Sequence, residues 1–185
     1  MPRTRFKKSF AVIDASCLIC LQHLNHSLPQ PNFLQALALR YQAIYVPRYV
    51  LEEVRRKGRI RHRMHELIQS HPILKICDIN NQYDAQLLYD RHLNPKARIH
   101  RGEAEVITQA RERGISEVLM DDRKGRKMAE RHTLIPKGTA RLLIEFERNG
   151  VVSKASPLIQ LLRDAGKLWL RDDELNKILS EVGAP

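Results

Sequence analysis

Two short apolar runs that each end in aspartate constrain this chain more than any other feature. One is Phe10-Ala-Val-Ile-Asp14, and the other is Glu117-Val-Leu-Met120 running into Asp121-Asp122. An unbroken apolar run of this length suits a strand covered on both faces, as in a parallel sheet. Ala43-Ile-Tyr-Val46 and Ile73-Leu-Lys-Ile-Cys77 read as two further strands, and Pro47 suits the first turn of a following helix. Helical patterns run from Asp14 through about Leu24, near 82–92, 103–113, 123–131 and 139–149, and from 155 onward. Strands alternating with helices predict an α/β layered domain with a mainly parallel sheet. Ligands of such sheets bind beyond the carboxyl ends of the strands, where strand order reverses. Asp14 and the Asp121-Asp122 pair stand at that edge.

The chain has 185 residues, 43% of them hydrophobic, which is enough apolar material for one buried core. No repeat, low-complexity tract or linker divides it. The expected organisation is one domain over 1–185, with 1–9 a basic lead and 155–185 a C-terminal helical extension. No apolar stretch approaches the ~20 residues of a membrane-spanning helix. The start, MPRTRFKKSFAVIDAS, turns from basic to apolar. Only about four apolar residues precede Asp14, against the roughly 7 to 15 of a secretory core. A cytoplasmic location is expected. Cys17, Cys20 and Cys77 cannot all pair, and Cys17 and Cys20 lie in the run Leu18, Ile19, Leu21, Leu24. They read as small core residues on a helix in a reducing compartment.

The segment Glu103-Ala-Glu-Val-Ile-Thr-Gln-Ala110 carries a carboxylate where one is costly. At about 100° per residue, Val106, Ile107 and Ala110 share a face with Glu103, while Glu105 points away into solvent. A core-facing carboxylate must be paired, protonated or bound to a metal. The same test on Val50-Leu-Glu-Glu-Val54 places Glu53 at the border of the apolar face and Glu52 nearly opposite. Asp14, Glu53, Glu103 and Asp121 or Asp122 are therefore the candidate site. Carboxylates crowded together repel until cations neutralise them, and hard oxygen donors select Mg²⁺ or Mn²⁺ over zinc.

Lys and Arg number 32 against 21 Asp and Glu, a formal charge of +11. Such an excess points to a polyanion partner, most commonly nucleic acid. Arg55-Arg-Lys-Gly-Arg-Ile-Arg-His-Arg63 follows Glu53, and Arg123-Lys-Gly-Arg-Lys127 follows Asp122. Cations flanking a metal site suit a phosphodiester backbone, each neutralising a phosphate. Other chemistries are poorly represented. The chain has neither a GxSxG elbow nor a Walker A loop. His62, His65 and His71 lack the helical spacing of a zinc site, and Ser16 stands where an aspartyl phosphotransferase needs its second Asp.

The ordered segments VIDAS (12–16), VPRYVLEEV (46–54), RGEAEVITQA (101–110), VLMDDRKGRKMAE (118–130) and KGTARLLIEFERNGVV (137–152) resemble a PIN-domain protein. The resemblance is nearest to the bacterial and archaeal VapC-like branch with its GEAE-type helix and DDR-G-R segment, and it covers about residues 10 to 170. It implies a three-layer α/β/α sandwich with a parallel sheet. It also implies a Mg²⁺- or Mn²⁺-dependent endoribonuclease, commonly the toxin of a toxin–antitoxin pair and frequently a homodimer. Carried over, Asp14, Glu53 and Glu103 match the first three acids, and Ser16 matches the small hydroxyl residue beside the first. The fourth acid falls on Asp121 or Asp122. Gly138-Thr-Ala-Arg141 departs from the branch's GTLG, and Met120 replaces its usual Thr or Ser.

The expected mechanism is hydrolysis of RNA by metal-activated water. Asp14, Glu103 and Asp121 or Asp122 would hold one or two ions, with Glu53 a ligand or water-positioning group. Arg123, Lys124 and Arg126 would grip the backbone, with Ser16 and Thr139 lining the cleft. An antitoxin is a possible partner, and a membrane is not expected. The alternative is a catalytically inactive PIN-fold nucleic-acid-binding or adaptor protein. A DNA-directed nuclease would share the site. With aromatic residues at 5% of the chain, recognition is expected to depend on RNA shape and charge more than on stacking.

Overall fold

A computed structural model describes residues 8–28, 32–57, 71–90 and 99–183. The apolar runs become strands β1 (Ser9–Ile13), β2 (Tyr41–Pro47), β3 (Leu74–Cys77) and β4 (Glu117–Leu119), joined by a fifth, β5 (Ile135–Lys137). They form one sheet of order β3-β2-β1-β4-β5 in which each neighbouring pair is parallel. The helices cover both faces, which makes the fold an α/β/α sandwich. That coverage is why β1 is uninterruptedly apolar: Ala11, Val12 and Ile13 are all fully buried, on alternate faces.

The helices are α1 (Ala15–Ser27), α2 (Phe33–Arg40), α3 (Arg48–Lys57), α4 (Gln82–Asp90), α5 (Arg101–Glu112), α6 (Arg123–Arg131), α7 (Thr139–Arg148), α8 (Ser156–Asp164) and α9 (Asp172–Gly183). Among the described residues, no helix is long and apolar enough to cross a membrane. Cys17 and Cys20 are fully buried on α1, as small core residues. From β1 the sheet grows outward through β2 to β3, then the chain returns to place β4 on the other side of β1. The order reverses between β1 and β4, so the two aspartate-terminated strands lie side by side at the switch point. The Asp14 N–H donates to the Leu119 carbonyl (2.8 Å), locking their ends together.

Two elements were not expected. Helix α2 is started by Asn32, whose side chain accepts the Leu34 and Gln35 N–H groups (3.0 and 3.2 Å). Strand β5 is only three residues long and contains Pro136, a residue that argues against a strand except at an edge, where β5 lies. The helix expected near 82–92 is observed to Asp90, and its last two residues lie outside the described residues.

On one face of the sheet, away from its carboxyl edge at Asp14, a polar network is closed within the protein. Glu117 on β4 is buried and accepts from the Tyr41 hydroxyl and from Arg40 Nη2 (3.0 Å), and pairs with Lys137 Nζ (3.4 Å). Lys137, also buried, meets Glu145 on α7 at 2.7 Å. Burial, and then the negative charge of Glu117, holds the Tyr41 hydroxyl well above the ordinary tyrosine range. Each charge here has an opposite partner, which is the condition for burying it. Replacing Lys137→Met removes one cation from two carboxylates and leaves Arg40 alone to serve both. We expect a loss of about 3 kcal/mol in urea unfolding, the low end for breaking a buried pair. A loss under about 1 kcal/mol would mean that Arg40 suffices.

Candidate active site at the carboxyl edge of the sheet

Asp14 follows β1 and begins α1. Its Oδ2 accepts the Ser16 hydroxyl (2.7 Å) and the Ser16 N–H (3.2 Å), so the side chain is held at the helix start. Only 5% of Asp14 is exposed, and burial raises its pKa above the ordinary value, with Glu53 adding repulsion. Glu53 comes from α3. A Cβ at Gly102, in the first turn of α5, would lie 2.6 Å from Glu53 Oε2 and 3.5 Å from Asp14 Oδ1. Position 102 is thus a gap between two acids, and a glycine is what lets α5 approach both.

Glu103 follows at once. Its Oε2 accepts the His100 N–H (2.9 Å), a reach back to the helix start, and it is 4% exposed. Burial pushes its pKa up to about 8, reinforced by Asp122, Asp14 and Glu53. Gly125 in α6 lies against its stem: a Cβ there would be 3.1 Å from Glu103 Cδ. Asp122 starts α6, its Oδ1 accepting the Lys124 and Gly125 N–H groups (2.7 and 2.9 Å). Asp14, Glu53, Glu103 and Asp122 line one cleft of about 510 Å³, together with Ser16 and His100.

Asp121 is turned elsewhere. Its Oδ1 accepts the Thr139 N–H (2.7 Å) and its Oδ2 accepts the Thr139 hydroxyl (2.6 Å) and the Cys17 thiol (3.4 Å). It braces the start of α7 against α1. Thr139 is fully buried in this brace rather than on the cleft wall. Ser16 does reach the cleft and also accepts the Asp121 N–H (3.1 Å), linking the two aspartate-bearing corners. Burial, and then Asp121, raises the Cys17 thiol pKa well above the ordinary value.

Of the basic residues, Arg123 and Lys124 are exposed in the first turn of α6 beside Asp122. Arg126 donates to the Asp121 carbonyl (2.8 Å) and lines a neighbouring cleft of about 280 Å³ with Arg141. The tract from Arg55 to Arg63 enters α3, and positions 58–63 lie outside the described residues.

Glu105 corrects the helical-wheel reading. It is 4% exposed, not solvated, and pairs with Arg101 Nε (3.1 Å), whose guanidinium lies 4.5 Å from the centre of the Tyr49 ring. Burial raises its pKa. The wheel assumes one wet face, but every residue of α5 from Gly102 to Ala110 is buried. Helices α3 and α4 and the sheet surround it.

Among the cleft residues that had not been anticipated are three with polar or aromatic side chains, His100, Lys167 and Trp169. The last two belong to the segment after α8, where Lys-Leu-Trp-Leu-Arg alternates with period two, a pattern that marks Trp169 as outward-facing.

The site therefore joins acids from the ends of two strands, Asp14 and Asp122, and from two helices, Glu53 within α3 and Glu103 in the first turn of α5, at the reversal point of a parallel sheet. The sequence model of a family described as a PIN domain matches residues 10–184. This chain belongs to the PIN-domain family. PIN domains are generally nucleases that use divalent metal ions. No curated protein sequence matches the chain.

The PIN-domain cleft fits such an ion in charge and donor chemistry. Its donors are carboxylate oxygens, and those of Asp14 and Glu103 are buried with no ion pair among the described residues. The glycine at 102 keeps open the space that Glu53 and Asp14 share. A finished coordination sphere is absent: among the described residues, no group of three His, Cys, Asp or Glu is arranged to hold a metal.

This charge state has a measurable sign. Without metal, folded Glu103 keeps its proton up to about pH 8, whereas an ordinary glutamate carboxyl loses it near 4.5. Between those values the folded protein binds more protons than the unfolded chain, so its stability falls as pH rises. Thermal melts in EDTA should show this decline, Glu103→Gln should flatten it, and Mg²⁺ should raise the melting temperature of the native protein near pH 8. A pH-independent melt, unmoved by Mg²⁺, would place Glu103 outside any metal-binding cluster.

Proposed function

We propose that this PIN-domain protein is a Mg²⁺- or Mn²⁺-dependent endoribonuclease, the toxin of a VapC-like toxin–antitoxin pair working as a homodimer. The observation that carries the reading is the convergence of Asp14, Glu53, Glu103 and Asp122 on one cleft at the sheet's reversal point. Like charges brought together in a partly buried cleft oppose folding, and a divalent cation is the partner that relieves them. The +11 charge supports a polyanionic substrate.

Asp14, Glu103 and Asp122 would hold the ion, with Glu53 completing the set or accepting the proton of the attacking water. Asp121 supports the site from outside by fixing the starts of α1 and α7 through Cys17 and Thr139. Ser16 holds Asp14 Oδ2, which leaves Oδ1 beside Gly102. When bound, the ion supplies charge stabilisation for the phosphodiester and a lowered pKa for water. Arg123 and Lys124 stand where they can take flanking phosphates. No protein nucleophile is required: water's oxygen joins phosphorus, one ester bond breaks, and the leaving oxygen takes up a proton.

A second reading, a PIN-fold RNA binder without chemistry, draws on the absence of a ready-made ligand group among the described residues. Incubating the protein with single-stranded and structured RNA, in Mg²⁺, Mn²⁺ or EDTA, separates the two. We expect discrete metal-dependent cuts, slowed roughly a thousandfold by Asp14→Asn, since metal-assisted charge stabilisation supplies several kcal/mol. RNA affinity and melting temperature should change little. Binding without cleavage under all three conditions would leave the binder.

A further inference from the structure

Trp169 is the most exposed large apolar side chain among those described, at 93%, in a chain with a single tryptophan. Leaving so large an apolar surface in water is unfavourable unless something covers it. The backbone that carries Trp169 is tied down on both sides. Helix α8 ends with Gly166 at a φ of +62°, the Gly166 N–H donating to the Arg163 carbonyl and the Lys167 N–H to the Leu162 carbonyl (both 2.9 Å). This is the double hydrogen bond of a Schellman ending, which sets the direction of the exiting chain. The Lys167 carbonyl accepts the Cys20 thiol (3.3 Å), tying the loop to α1. Leu168 and Leu170 are then buried, at 5% and 9%, so Lys167, Trp169 and Arg171 all face outward.

The placement decides what the tryptophan meets. Lys167 and Trp169 line the acidic cleft with Asp14 and Glu103, and Trp169 also borders the neighbouring cleft that holds Arg126 and Arg141. An aromatic face with a cation beside it, next to carboxylates that would hold a metal, matches a base and its phosphate. Arg171 is already engaged at the surface by Asp173 (3.2 Å), so Lys167 is the cation nearest this role. We propose that Trp169 is a stacking platform for an unpaired nucleobase of single-stranded RNA, with Lys167 taking an adjacent phosphate. This places substrate choice in the 166–171 loop, and it rests on the nuclease reading for its RNA substrate. It also revises the expectation that stacking matters little: one aromatic suffices when it stands on the cleft.

Because Trp169 is the single tryptophan, its fluorescence reports the contact directly. In EDTA, where cleavage is suppressed, a short single-stranded RNA should quench this emission, and an RNA duplex should not. Trp169→Ala should weaken single-stranded binding by about 10- to 100-fold, the range of base–aromatic stacking, and Trp169→Phe should recover most of it. Lys167→Ala should weaken binding and lower its salt dependence. With the side chain so exposed, the variants should keep the native melting temperature. Unchanged emission on adding RNA, with unchanged affinity in Trp169→Ala, would overturn the proposal even if the protein cuts RNA. Loss of a dimer in Trp169→Ala without loss of RNA affinity would also overturn it, and would make the residue an interface between copies. Quenching and the affinity loss in a protein that cuts nothing would uphold the platform while the nuclease reading failed.

Discussion

Everything at the carboxyl edge of this sheet depends on like charges being forced together. Asp14 is brought there by the end of β1, Glu103 by the start of α5, Glu53 by α3 and Asp122 by the start of α6. Each is placed by ordinary local rules, such as capping a helix or following a strand. Their sum is unfavourable, because burial and mutual repulsion both disfavour the charged forms. The fold tolerates this because the apolar core beneath is independent of it: β1, α1 and α5 would bury the same side chains whatever the acids carried.

The buried network on the sheet face away from that edge provides the contrast. Glu117 is buried too, yet Tyr41, Arg40 and Lys137 surround it with donors. One carboxylate is closed within the protein and has no need of an outside partner. Those at the carboxyl edge are arranged around a cleft with glycines at 102 and 125 letting helices approach closely. Both glycines remove bulk beside a carboxylate, Gly102 in the gap shared by Glu53 and Asp14, Gly125 along the stem of Glu103.

Much of this was legible in the residues. The strand runs at 10–14 and 117–120 were found within a residue or so, because a strand buried on both faces is apolar throughout and unlike a surface helix. Glu103 stood out by sharing a face with Val106, Ile107 and Ala110, and it is indeed buried. The same wheel failed for Glu105, since the packing of α3 and α4 on the other sides of α5 cannot be read from α5 alone. Strand β5 escaped for another reason: three residues with a central proline carry no periodicity.

By itself, the sequence determined the parallel α/β fold, the acids at its strand ends and the PIN-domain family, because these depend on patterns local to each segment. Only the tertiary structure shows which of Asp121 and Asp122 lines the acidic cleft. The two are neighbours with identical side chains, and the difference is that the start of α7 arrives beside Asp121 with the Thr139 N–H and hydroxyl. That leaves Asp122 to cap α6 and face the cleft. Trp169 likewise became a cleft residue only when the α8 ending docked on α1 through Cys20. Contacts of this kind join parts of the chain remote in sequence, so their geometry is set by how whole helices pack and by no run of residues within either one.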